Sequence, residues 1–184
     1  MMRYFVSIGG ASGSIYGIRL LQELHKVGHE VHLVISEGAK KIIQQETKYT
    51  YSSIKREANI IYDNTDLCAG PASGSFPLDG MIVIPCSMKT LSAIAHGFGD
   101  TLTSRAAGCC LKEGRKLILV LRETPLDLPG ITNMLAAKEG GAIILPAMPA
   151  FYHKPEQISD LVDFIVGKVF DQLCLQHSLF KRWK

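Results

Sequence analysis

"RYFVSIGGASGSIYG", Arg3–Gly17, decides how the rest of the chain is read. The apolar run to Ile8 reads as a strand, Gly9–Ser14 as a turn, and Ile15 as the start of a helix. In that helix Ile15, Ile18, Leu21, Leu24 and Val27 recur every third residue until Gly28 stops it. A glycine turn between strand and helix leaves unpaired N–H groups facing outward, a natural seat for an anion. The glycines fall at 9, 10, 13 and 17, which fits neither G-x-G-x-x-G nor a phosphate loop closed by Lys-Ser/Thr, so a nucleoside triphosphate is disfavoured. An NAD site would want an acid at the end of the second strand; Ser36 stands there with Glu37 next to it, which disfavours NAD and leaves it open. A tight turn alone would also use these glycines, but the hydroxyls of Ser12 and Ser14 beside exposed N–H groups favour an anion.

Outward from this turn the chain repeats the same alternation. Glu30–Ile35 reads as strand two, and Ser36 is placed to cap a helix running to about Thr47. The stretch to Leu67 is polar and mixed, with a short helix begun by Ser52 or Ser53. Gly70–Gly80 is a breaker-rich loop, and "MIVIP" after it is the continuous apolar run of a strand buried on both faces. A helix beginning near Ser87, another in "TLTSRAAGCCLKEG", a strand at Lys116–Leu121, a helix over about Leu135–Glu139, a fifth strand in "AIILP" and a last helix opening at Pro155 complete the series. Five strands alternating with helices predict an α/β fold: one Rossmann-like domain over residues 1–184, a doubly wound parallel sheet with helices on both faces.

The overall balance narrows the partners. A formal charge of +3 with Lys and Arg spread along the chain argues against nucleic acid, and no apolar run is long enough to span a bilayer. No signal-peptide pattern opens the chain, so a cytoplasmic protein is expected. The 47% hydrophobic content suits a subunit that buries surface against its own copies, with the C-terminal helix and tail as the expected contact. Five cysteines without a C-x-x-C pair, and six histidines without ligand spacing, predict free thiols and no metal.

Ligands of doubly wound sheets bind beyond the carboxyl ends of the strands. At those ends stand Gly9–Ser14, Ser36, Pro85–Thr90, Arg122 with Glu123, and Pro146–Tyr152. Ser87, Met88, Lys89 and Thr90 form the first turn of a helix, a second anion-friendly end beside the first, and ordinary N-capping would use Ser87 equally. Arg105 and Lys112, seven residues apart, share one helix face with Gly108 between them. Arg122 and Glu123 follow a strand directly, which suits a cleft as well as a solvated surface. Together these residues describe a site with excess positive charge and one carboxylate for proton transfer.

The sequence resembles the UbiX-type flavin prenyltransferases, within the flavoproteins that also include phosphopantothenoylcysteine decarboxylases. The resemblance is carried, in order, by "GGASGSIYG", "LVIS", "QQET", "PASGSF", "IPCSMKTLSAIAHG", "SRAAGCCLKEGRKLILVLRETPL", "GAIILPAMPAFYHKP" and "KRW". It implies a homododecamer of Rossmann-like subunits that transfers a dimethylallyl group from dimethylallyl monophosphate to N5 and C6 of reduced FMN. The prenylated FMN would then serve a UbiD-type decarboxylase, and no metal would be needed. By the same resemblance Gly10, Ala11, Ser12, Ser36, Ser87, Met88, Lys89, Thr90 and Arg122 should bind FMN. Ser12, Glu46 and Glu123 should carry catalysis, Glu123 as acceptor of the C6 proton. Arg105, Lys112, Tyr152 and Lys168 should hold the donor phosphate.

Two positions depart from the family pattern. Lys168 replaces a frequent Arg and loses the bidentate fork, and Leu67 replaces a tryptophan found in some relatives ahead of "PASGS". A straight helix from Glu156 to Lys168 would separate its ends by roughly 18 Å. Tyr152 and Lys168 are therefore expected on one phosphate only if the chain doubles back or if they come from different subunits. The competing readings are a flavin-dependent decarboxylase using His and Cys, for which His96 and Cys109 show no pairing, and a non-catalytic FMN-binding module.

Overall fold

The sheet grows outward from the opening strand. In the computed structural model, which describes residues 1–183, β1 (Arg3–Ile8), α1 (Ser14–Lys26), β2 (Glu30–Ile35), α2 (Glu37–Glu46) and α3 (Tyr51–Lys55) come first. They are followed by β3 (Ile60–Tyr62), β4 (Gly80–Cys86), α4 (Met88–Ala95), α5 (Leu102–Lys112), β5 (Lys116–Leu121), α6 (Leu128–Glu139), β6 (Ile143–Pro146) and α7 (Ile158–Leu173). All six strands are parallel in the order β3-β2-β1-β4-β5-β6, with Val6 opposite Leu33 on one side and Ile82 on the other. The order reverses between β1 and β4, so the crevice beyond these two strands is the switch point where doubly wound sheets bind ligands.

Burial explains the continuous apolar strands. Every residue of β4 is buried, with Ile82 and Ile84 facing the layer of α1 and α7 while Met81 and Val83 face that of α4, α5 and α6. Arg19 of α1 donates to Asp163 of α7 at 2.6 Å and ties the two helices of the first layer. A Cβ on Gly17 of α1 would stand 2.5 Å from the Ile84 carbonyl oxygen, so the glycine lets this helix lie directly on the sheet.

Four expectations change. A sixth strand, β3, pairs with β2 at the edge; three residues are too few to show a period in sequence. The α6 helix starts at Leu128, earlier than Leu135, because Asp127 caps it through Gly130 N–H at 2.8 Å and Pro129 sits harmlessly in its first turn. The last helix opens at Ile158, later than Pro155, and the short α3 is capped by Thr50 with Ser53 as its reciprocal partner. Among the described residues no helix is long and apolar enough to cross a membrane.

Candidate active site

Beyond the switch point lies a cavity of about 460 Å³, within the size range of cofactor pockets. Three helix N-termini open onto it: Ser36, Glu37 and Gly38 of α2, Ser87, Lys89 and Thr90 of α4, and Thr101, Thr103 and Ser104 of α5. Each helix is capped by a hydroxyl, with Ser36 accepting from Ala39 N–H at 3.2 Å, Ser87 from Thr90 N–H at 3.3 Å and Thr101 from Ser104 N–H at 3.2 Å. Gly9 donates to the Pro85 carbonyl at 3.1 Å, and a Cβ on Gly9 would run into that oxygen. Glycine at this position therefore lets the two loops of the switch point close on each other. Gly10 and Gly38 line the same wall, and a Cβ on Gly38 would meet the Gly10 Cα at 3.4 Å.

Of the nine residues expected to bind the flavin, Gly10, Ser36, Ser87, Lys89 and Thr90 line this cavity. Met88 does not: it packs with the apolar side chains beneath α6, where its sulfur lies 3.4 Å from the Cβ that Gly130 lacks. Ala11, Ser12 and Arg122 also stand outside the lining. Ala11 is buried, while the Ser12 carbonyl accepts from Arg122 Nε at 3.1 Å. Asp63, Asn64 and Thr65, with the start of α5, line the cavity unforeseen. Asn64 accepts from the Thr103 hydroxyl at 2.8 Å, and Thr103 meets the buried Ser7 hydroxyl at 2.7 Å, which fixes that wall to β1. The T-x-x-S capping box at Thr101–Ser104 was the available sequence signal.

The second feature is a carboxylate on the opening turn. Gly13 begins α1 in the left-handed region at φ 99° and has no side chain with which to cap it. Glu46, from the last turn of α2, supplies the cap: its Oε2 accepts from Gly13 N–H at 2.9 Å, Ser14 N–H at 3.2 Å and the Ser14 hydroxyl at 3.1 Å. Burial raises the Glu46 pKa, but the hydrogen bonds from Ser12, Gly13 and Ser14 outweigh it and hold the group below its ordinary value. The α1 N-terminus, expected to meet a ligand anion, is thus already occupied by an anion of the chain itself. The Ser12–Arg122 bond brings the residue after β5 to this turn, and next to it the exposed Glu123 accepts from Thr124 N–H at 3.1 Å.

The four residues expected on a phosphate fall into two groups. Arg105 and Lys112 do share the outer face of α5, both against the "PASGS" loop. Arg105 donates to the Ala72 carbonyl at 3.0 Å, and the Lys112 ammonium lies 2.9 Å from where a Gly74 Cβ would be. Tyr152 and Lys168 lie at α7. There the loop doubles back through Lys154, at φ 57°, so that His153 stacks on Phe164 at 5.3 Å and Tyr152 meets the same ring edge-on at 5.9 Å. Phe164 is one turn before Lys168, so the helix rise does not keep these two side chains apart as a straight run would.

Of the thiols suited to a His–Cys mechanism, Cys109 donates to the Ala72 carbonyl at 3.2 Å, while His96 pairs with Asn133 at 3.0 Å. Cys86 is fully buried, and burial pushes its thiol up, away from the reactive thiolate.

The Flavoprotein family model matches residues 2–170. The chain is 50% identical over 182 residues to the flavin prenyltransferase UbiX of Thauera aromatica, covering 99% of this chain and 94% of that protein. A crystal structure of AnUbiX (PadA1) in complex with FMN and dimethylallyl pyrophosphate superposes with a TM-score of 0.98 at 45% identity, covering 100% of this chain and 97% of the other. The dodecameric FMN-dependent UbiX-like decarboxylase of Escherichia coli O157:H7 gives 0.97 at 46% identity, with 100% of both chains covered. A cavity of cofactor size at the switch point, a full-length match and identities near one half agree: this chain belongs to the UbiX flavin prenyltransferase family of flavoproteins.

Proposed function

We propose that this chain is a cytoplasmic flavin prenyltransferase that joins a dimethylallyl group from dimethylallyl monophosphate to reduced FMN at N5 and C6, making prenylated FMN. The observation that carries this reading is the cavity walled by three helix N-termini, with the linked Ser12, Glu46 and Arg122 on the neighbouring opening turn. The cavity fits FMN: free N–H groups and Lys89 suit a phosphate, serine and threonine hydroxyls suit a ribityl chain, and glycine backbones leave room for a flat ring. When bound, reduced FMN supplies the nucleophilic N5 and C6 positions. Glu46, ionised at neutral pH, holds Ser12 and the opening turn in place, and Glu123 accepts the C6 proton.

The allylic C–O bond breaks with its electron pair going to the phosphate. Arg105, Lys112, Lys168 and the Tyr152 hydroxyl stabilise that growing negative charge. These groups stand on different parts of one subunit, which supports a site completed by neighbouring copies. Uncovered Leu128, Ile131 and Leu135 on one stripe of α6, with Met148 and Phe151, supply the apolar surface a homododecamer would bury. The product would be delivered to a UbiD-type decarboxylase.

The test mixes reduced FMN, dimethylallyl monophosphate and purified protein without air and looks by mass spectrometry for a flavin heavier by one five-carbon unit. Folded protein that binds FMN and yields no adduct overturns the assignment. Glu123→Gln should slow turnover while leaving FMN affinity unchanged; loss of flavin binding would mean the residue holds the ligand instead.

A further inference from the structure

One carboxylate organises the end of the molecule where Tyr152 and Lys168 stand. Asp171, in the last turn of α7, accepts from Lys168 Nζ at 3.0 Å through Oδ2, and through Oδ1 from His177 Nε2 at 3.1 Å and Arg182 at 2.7 Å. His177 Nδ1 accepts from Leu179 N–H at 3.2 Å, so Nε2 carries the proton and the ring is satisfied while neutral. The segment after α7 is seated firmly. Phe180 and His177 fill the notch left by Gly167, where a Cβ would come within 2.5 Å of the Phe180 ring, and Trp183 meets Tyr152 edge-on at 5.3 Å. The returning chain therefore carries Arg182 to the hollow that Tyr152 lines.

That hollow, about 400 Å³, is formed by Tyr152, His153, Lys154, Lys181, Arg182 and Trp183: three cations, three aromatic rings and, among the described residues, no carboxylate. Arg182 gives one of its nitrogens to Asp171 and keeps Nε and Nη1 uncommitted among the described residues, with its guanidinium side chain 57% exposed. A cation fixed at one corner and free along the rest of its fork is arranged for an oxyanion. Asp171 is itself held ionised, at about 2, against burial by its bonds to Arg182, Lys168 and His177, so the anchor does not release at any ordinary pH.

We propose that Arg182 is a further donor-phosphate-binding residue, and that Asp171 is the positioning residue that fixes Arg182 in the Tyr152 hollow while tying it to Lys168. The inference rests on the prenyl-transfer reading for the identity of the phosphate, and on the geometry of Asp171, Arg182 and the Tyr152 hollow for the site.

Arg182→Gln removes the charge and shortens the side chain while keeping a polar amide; Arg182→Lys returns the charge without the fork. Two readouts are taken in the full assembly: binding of inorganic phosphate by calorimetry, and the KM and kcat for dimethylallyl monophosphate with reduced FMN. The expected result for Arg182→Gln is about tenfold or more weaker phosphate binding and a matching rise in donor KM, as for loss of a charged hydrogen bond. FMN affinity should stay unchanged, and Arg182→Lys should recover part of the loss. Asp171→Asn should raise the donor KM without affecting FMN affinity. Phosphate binding and donor KM within twofold of wild type in Arg182→Gln overturn the proposal, as does a loss that Arg182→Lys does not relieve. A wild type that binds phosphate through Arg182 yet makes no prenylated flavin supports the site and overturns the prenyl-transfer reading alone.

Discussion

Replacing Glu46 separates its two tasks, holding the opening turn and taking part in chemistry. Its carboxylate makes three hydrogen bonds at the start of α1, a helix whose own N-cap residue, Gly13, makes none with a side chain. Removing a helix cap costs roughly 0.5–2 kcal/mol, and a negative charge at a helix N-terminus contributes about 0.3–1 kcal/mol. Glu46→Gln keeps an acceptor and loses the charge, so it should lose about 0.5–1 kcal/mol; Glu46→Ala should lose about 1–2 kcal/mol. For a chain of this length that is roughly 2–4 °C of melting temperature per kcal/mol.

The pH dependence carries the sharper check. The folded pKa of Glu46 lies below its ordinary 4.5 because the bonds from Ser12, Gly13 and Ser14 outweigh the effect of burial. A depressed carboxylate stabilises above the unfolded value, and that contribution drains away as pH falls through the folded one. Urea unfolding of wild type and Glu46→Gln at equal protein concentration should therefore show a gap at pH 7 that closes as the pH falls through and below the ordinary carboxylate value. A gap that is absent at pH 7, or that widens as the solution is acidified, would refute the assignment of Glu46 as the charged cap of α1. Prenyl transfer by Glu46→Gln should fall by far more than its stability, because Ser12 loses its charged partner.

Two further substitutions test the frame around the site. Gly9→Ala puts a methyl group into the Pro85 carbonyl and must spread the switch point; it should cost about 1–3 kcal/mol and weaken FMN binding, read by quenching of flavin fluorescence. His153 keeps both ring nitrogens buried without a partner among the described residues while its ring stacks on Phe164. His153→Phe should retain the stacking, end that penalty and raise the melting temperature in calorimetry by an amount corresponding to about 1–2 kcal/mol.

What the sequence made legible follows from how locally each feature is encoded. The strands β1, β2, β4 and β5 are buried apolar runs, and Ser36 and Ser87 cap their helices by contacts three residues away, so all could be read from short stretches. The edge strand β3 is held by pairing with β2, which no local pattern announces. In the site, Gly10, Ser36, Ser87, Lys89 and Thr90 follow strand ends directly and were visible. Asp63, Asn64 and Thr65 reach the cavity only because Asn64 bonds to Thr103, 39 positions along the chain. Glu46 was named by resemblance, but its contact with Gly13 and Ser14 joins residues more than thirty apart and needed the fold. The position of Tyr152 depended on a reversal at Lys154, a non-glycine residue in the left-handed region that nothing in its neighbourhood marks.

The three helix ends at the flavin cavity have a consequence for how the protein should be handled. Each helix N-terminus carries roughly half a positive charge, and three together approach the charge of one phosphomonoester at neutral pH, about −1.5 to −2. In the cavity itself only the carboxylates of Glu37, Asp63 and Asp100 stand against those like ends, and none of them bridges all three. The nucleotide is then a keystone as well as a reactant: it joins α2, α4 and α5 at the point where their own dipoles would push them apart. Protein purified and stored with flavin should outlast protein stripped of it.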